Sequence, residues 1–257
     1  MNTDENKSLI QEDIFTRAEA LLGESVMQRL KDTKVLIFGV GGVGSWCAEG
    51  LVRSGIGHIT IVDFDVVSPS NINRQLMATS LVVGEPKVKV MQERLLQINP
   101  NVDVVAINAR FGVDFYNEYP DFNLCDYDYV IDAIDTLDDK IQLILQATSN
   151  PTIKFFSSMG AAMKFDPIKV STAEFWKVKG CPLARSLRNK MKKNKQFPQS
   201  KFICVYSDEQ VKKQTAKTSD DSKENSAGKI SKGSIVQVTG VFGFTLCSLV
   251  INDLYNK

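Results

Sequence analysis

Between Lys34 and Asp63 the chain runs apolar segment, glycine turn, helical segment, apolar segment and acid, an order that few folds accommodate. Lys34 to Phe38 (KVLIF) is short, apolar and partly β-branched, as a strand buried on both faces requires. Gly39, Gly41 and Gly44 then fit G-x-G-x-x-G, and Ser45 to Arg53 continues with helix-forming residues. Such a turn lets backbone N–H groups approach a polyphosphate at the positive end of the helix. His58 to Val62 (HITIV) reads as a second strand, and Asp63 at its end is spaced to hydrogen-bond a ribose hydroxyl. The pattern predicts an α/β fold, Rossmann-like and doubly wound. Its sheet is expected to be mainly parallel, with a nucleotide site at the strand carboxyl ends.

The residues just past Asp63 speak to the chemistry. Asp65, Asn71, Asn73, Arg74 and Gln75 crowd the edge where ligands sit in such a sheet. Hydride transfer has little use for an arginine aimed at phosphates. Phosphoryl or nucleotidyl transfer needs fixed cations, because charge builds on the phosphate oxygens in the transition state. Lys87, in VGEPKVKVM, offers a second cation at the start of a helix predicted to run to about Ile98; the alternative is a solvated surface lysine. Asp128 to Ile134 (DYVIDAI) is expected to be a central strand that delivers Asp135 and Thr136 to the same rim. A carboxylate among triphosphate-binding cations is best explained as a magnesium ligand. Asp132, three residues earlier, faces the other side of the strand, as either a buried carboxylate or a functional one.

The segments GVGGVGSW, DFDVVSPSNINRQ, VGEPKVKVM and VIDAID together resemble the ubiquitin-activating-enzyme-like (ThiF/MoeB-type) adenylyltransferase family. That family binds ATP–Mg²⁺ and adenylates a carboxylate. The resemblance implies that Gly39, Gly41, Gly42 and Gly44 cradle the phosphates and that Asp63 holds the ribose. It puts Asn71, Arg74 and Lys87 around the triphosphate, with Asp65 and Gln75 beside them, and Asp135 on the metal. It further implies a homodimer in which Arg17, in IFTRAEALLGES, reaches the partner's ATP; from the residues alone Arg17 is equally a helix-surface cation. Arg74, Lys87, Asp135 and Arg17 are the candidate catalytic side chains.

Later segments resemble one branch of that family. FSSMGAAMKFDPIKV from Phe156, CPLAR from Cys181 and VYSDE from Val205 look like the dehydratases that act on threonylcarbamoyladenosine in tRNA. The implied reaction adenylates the threonylcarbamoyl carboxylate beside the anticodon and closes it into a ring, with net loss of water. The alternative within the family is activation of the C-terminus of a sulfur-carrier or ubiquitin-like protein, and a sulfur-relay protein is a further candidate partner. The five cysteines include no C-x-x-C pair, so a structural zinc is not expected. Cys181 is either an inert loop residue or a nucleophile, and ring closure requires no thiol.

Net charge is only +1, yet every charged residue between Phe175 and Ser207 is basic. A single-sign block of this kind can track RNA phosphates through counterion release; an exposed helix face is the bland alternative. At 257 residues and 43% hydrophobic content the chain can bury one large core. We expect a single adenylation domain with a polar extension over 1–13, an insertion over 173–232 that ends in a mobile loop over 212–232, and a C-terminal helix over 233–257. The N-terminal residues lack the apolar stretch of a secretory signal, so a cytoplasmic location is expected. Ile235 to Leu254 approaches membrane-spanning length. A helix buried on the sheet is the favoured reading, and a membrane contact the less favoured one. His58 and Trp46 are expected to be structural.

Overall fold

The computed structural model describes residues 14–210 and 233–257. The expected extension over 1–13 and the expected loop over 212–232 lie outside the described residues. Helices α1 (Thr16–Leu22) and α2 (Glu24–Asp32) lead into strand β1 (Lys34–Phe38). Next come α3 (Gly44–Arg53), β2 (His58–Val62), α4 (Lys87–Ile98) and β3 (Asp103–Ile107). The chain continues through α5 (Phe115–Glu118), β4 (Tyr129–Asp132), α6 (Leu137–Ser149) and β5 (Lys154–Ser158). It ends with β6 (Val170–Glu174), α7 (Pro182–Asn194), β7 (Ile203–Ser207) and α8 (Val236–Tyr255).

The seven strands form one sheet in the order β3-β2-β1-β4-β5-β7-β6, parallel throughout except for β6, which runs antiparallel to β7. This is the doubly wound α/β architecture expected from the glycine turn. The continuous apolar runs have a simple cause. Val35 and Ile37 of β1 pack on one face with residues of α3 and α8, while Leu36 and Phe38 pack on the other with Phe111, Phe115 and Ile144. Successive side chains of a strand face opposite ways, so a strand covered on both sides cannot alternate with polar residues. The winding direction reverses between β1 and β4, and the crevice beyond their carboxyl ends is where such sheets bind ligands.

The expected insertion begins at residue 173, and its described part is built into the sheet. It supplies β7, which enters the sheet between β5 and β6 and pairs with both. Phe202, Cys204 and Val205 are buried there, so this stretch extends the core instead of sitting outside it. Helix α8 passes the length and composition test for a membrane span, and half of that window is buried within the chain. It lies on α3 at very close range. A Cβ added at Gly243 would stand 2.6 Å from the Val43 carbonyl oxygen, and one at Gly50 3.0 Å from Cys247 Sγ. Val238, Phe242, Leu246 and Val250 are fully buried, half-exposed Phe244 packs its ring on Trp46 of α3 at 5.9 Å, and Val241 and Tyr255 face outward.

Candidate active site

The glycine turn leaves β1 beside the exit of β4, because Phe38 is paired with Asp132 across the two strands. Gly39 has φ +87°, and a Cβ there would be 2.8 Å from the Ala133 carbonyl oxygen. Only glycine fits, and the two loops close against each other. Gly44 is also tightly enclosed: a Cβ would fall 1.8 Å from the Gly39 carbonyl oxygen. Gly39, Gly41 and Gly42 line a cavity of about 470 Å³, a size typical of small-ligand sites. Gly44 does not line it. At this position it lets α3 start close to the turn.

Asp63 ends β2 and braces the turn. Its Oδ2 accepts from the Val40 N–H at 2.8 Å, and its Oδ1 from the Asp65 N–H at 2.9 Å. Burial pushes its carboxyl above the usual range, against the opposing pull of Lys87 and the two N–H donors. Lys87 is buried, not a solvated surface cation, and its Nζ lies 2.7 Å from the half-exposed Asp65 carboxylate. The Lys87 N–H also donates to the Asp65 carbonyl at 3.0 Å, so α4 is tied to the β2 exit at its first residue.

The asparagine/arginine run begins at the end of a short 3₁₀ turn, Pro69–Asn71, which Ser68 caps. Asn71 is spent partly on that cap: its Oδ1 accepts from the Ser68 N–H at 3.0 Å. Arg74 donates to the Ser70 carbonyl at 2.6 Å and to Asn73 Oδ1 at 2.9 Å. Its own carbonyl accepts from the Trp46 indole N–H at 3.0 Å, so Trp46 positions the arginine segment. Gln75 is buried, and its Oε1 has no hydrogen-bond partner among the described residues. Buried acceptors are rarely left unpaired. Gln75 also lines the cavity.

Asp135 is exposed on the wall, next to Ile134 and Thr136. Behind it lies a fully buried cluster: Asp132 Oδ2 meets Lys140 Nζ at 2.7 Å and accepts from Ser157 Oγ at 2.6 Å. The same pair grips Ile134, with Asp132 Oδ1 accepting its N–H at 3.0 Å and Lys140 donating to its carbonyl at 2.9 Å. Asp132 is thus the buried carboxylate of the two readings open for it. Arg17, on α1, is exposed and does not line this cavity.

Sequence reasoning left several wall residues unassigned. Arg110 forms a two-pronged pair with Asp139, at 2.8 and 3.3 Å, and its guanidinium lies 5.7 Å from the Phe64 ring centre. Met159 to Ala162 and Leu183 also line the cavity. They belong to the two segments, FSSMGAAMKF and CPLAR, that carried the branch resemblance. Cys181 is buried, off the wall, and accepts the Ala184 N–H at the start of α7, at 3.5 Å. Burial raises the thiols of Cys47 and Cys204 well above their ordinary value and Cys247 to about 12, so these three are poor nucleophiles at neutral pH.

The ThiF family model matches residues 15–255. A Bacillus subtilis tRNA threonylcarbamoyladenosine dehydratase is 42% identical over 179 residues, covering 70% of this chain and 69% of the relative. The Haemophilus influenzae protein of the same name is 35% identical over 238 residues, 90% of this chain and 89% of the relative. Among solved structures, the Escherichia coli tRNA N6-threonylcarbamoyladenosine dehydratase TcdA, in complex with ATP, superposes with a TM-score of 0.78 at 33% identity, covering 93% of both chains.

Proposed function

We propose that this chain, which belongs to the ThiF family, is an ATP-dependent dehydratase acting on threonylcarbamoyladenosine in tRNA. The substrate carboxylate attacks the α-phosphate of ATP and expels pyrophosphate. Intramolecular attack on the resulting acyl adenylate then closes the ring and expels AMP, which carries off the carboxylate oxygen. No enzyme nucleophile is required, so the protein's contribution is orientation and electrostatics.

The observation that carries this reading is the convergence of Arg74, Lys87 and Asp135 with the open glycine turn on one cavity. Gly39, Gly41 and Gly42 offer backbone toward the phosphates, and Asp63 keeps lone pairs for a ribose. Asn71, Arg74, Lys87 and Gln75 line the phosphate path, and Asp65 holds Lys87 ready. No cluster of three or more His, Cys, Asp or Glu side chains capable of holding a metal occurs among the described residues. A magnesium ion bound through ATP needs only one or two carboxylates, and exposed Asp135 meets that demand. When bound, such an ion would neutralise phosphate charge. The same reading has a cytoplasmic homodimer in which Arg17 serves the neighbouring copy's site, with a sulfur-relay protein as a further partner.

The test combines purified protein, ATP, magnesium and threonylcarbamoyl-modified tRNA, with mass analysis of the nucleoside. Loss of one water with release of AMP is the expected result. ATP–pyrophosphate exchange that depends on a carrier protein and ignores the tRNA would move the substrate to the other branch of the family.

A further inference from the structure

Trp176 and Phe197 are large aromatic residues left 41% and 50% exposed in a stretch whose charges all have one sign. Their rings pack against each other, with centroids 6.2 Å apart. Trp176 is held from beneath. It meets the fully buried Phe175 edge-on at 5.2 Å, and Phe175 stacks on Phe202 at 5.0 Å. Glu174, the nearest acid in the chain, turns its carboxylate to cap the Trp176 N–H at 3.0 Å. Arg188 of α7 donates to the Phe175 and Val178 carbonyls, both at 2.9 Å, locking the helix to this turn. At its far end α7 stops at Lys195, whose φ of +55° turns the chain so that Phe197 comes back onto Trp176. The aromatic pair is therefore built and braced, not loose surface.

The cations around it divide into two sets. Arg188 and Lys190 are engaged, the latter with Asp138. Lys192 lies 6.0 Å from the Trp176 ring centre, while Lys177, Lys179, Lys193, Lys195 and Lys201 are exposed. Helix α7 also links this patch to the active-site cavity, since Leu183 lines that cavity and Lys192 lies nine residues further on, about 14 Å along the helix.

We propose that the Trp176–Phe197 pair and its lysines form a stacking platform for a single-stranded RNA segment adjoining the nucleoside in the pocket. Exposed planar rings among cations suit bases on a phosphate backbone. The rings take the bases and the lysines release counterions from the phosphates. The inference rests on the RNA-substrate reading above and locates where that RNA lies.

Labelled tRNA binding to the full-length protein across a salt series tests it. Trp176→Ala is expected to weaken binding about 5- to 150-fold with the salt slope unchanged, and Trp176→Phe to retain most of the affinity. Lys192→Ala is expected to flatten the logarithmic salt slope by about 0.7–0.9. ATP affinity stays at the wild-type value in all three. Wild-type binding that ignores both Trp176→Ala and Phe197→Ala overturns the platform alone. A change of oligomeric mass in Trp176→Ala, read by light scattering, overturns it as well, by making the patch a subunit contact. If the wild type binds no tRNA, the platform and the RNA-substrate reading fall together.

Discussion

Two aspartate–lysine pairs flank the candidate active site, each with 2.7 Å between Nζ and Oδ2. In the rear pair, Asp132–Lys140, both side chains are fully buried. In the front pair Lys87 is buried but Asp65 keeps 48% of its side-chain surface. The rear carboxylate has every neighbour it needs within the protein: Lys140, the Ser157 hydroxyl and the Ile134 N–H. The front lysine faces the cavity and has only a half-solvated partner to leave. Equal bond lengths therefore hide opposite purposes. A closed pair fixes backbone, here the Ile134 peptide that carries Asp135. On the proposed function, an open pair stores a cation for an incoming phosphate.

The largest expected difference between them is in stability. Lys140→Met leaves Asp132 buried without its cation, a loss on the order of 3–5 kcal/mol. Burial alone pushes that carboxyl up, and the ammonium is the chief pull in the other direction. Urea unfolding measures it, and an unchanged midpoint would break the distinction. The double variant Asp132→Asn/Lys140→Met should recover part of the loss, because no lone charge remains.

At the front the effect moves to turnover. Lys87→Met, Arg74→Ala and Asp135→Asn are each expected to slow AMP release by about 10²–10³-fold. Unfolding free energies should stay within about 1 kcal/mol of wild type, since a pair with one exposed partner contributes little. A Lys87 variant as unstable as Lys140→Met would show the two pairs to be alike. Smaller again is Asp65→Asn, for which less than about a tenfold change in ATP affinity is expected if Asp65 only parks the lysine. A loss matching Lys87→Met would make Asp65 a direct nucleotide contact.

The smallest effect concerns a carboxylate outside the pocket. Glu49 on α3 is largely buried, which raises its carboxyl, but the bonds from Arg94 and Arg53 outweigh burial and hold it below the usual range. A carboxyl lowered on folding contributes stability above its unfolded value of about 4.3, and that contribution is lost as pH falls through the folded value. Unfolding midpoints should therefore be flat in this respect from pH 7 to 5 and decline below about 4, with a shallower acid limb in Glu49→Gln.

How far these features could be read beforehand depended on range in the chain. Strands β1 and β2 and helix α4 fall at the predicted residues, because their signals are local: apolar runs, a glycine turn, and Pro86 before Lys87. The predicted β4 was longer than the observed Tyr129–Asp132, since Ala133 and Ile134 leave the ladder to close on Gly39 and the buried pair. Arg110, Met159 and Leu183 reach the site from β3, β5 and α7, and only the sheet order shows that these ends meet. Nor could spacing distinguish Gly44 from its neighbours. The distance to the Gly39 carbonyl does, and it separates a packing glycine from those open to the cavity.

The close fit of Gly39 on Ala133 has a practical corollary for anyone retooling this pocket. Two loops that share one joint must be inherited together, and a library that randomises the turn would mostly sample collapsed scaffolds. Variation aimed at new nucleotides is better seeded at Phe64 and Arg110, on the rim away from that joint, where side chains can be exchanged without disturbing the bracket.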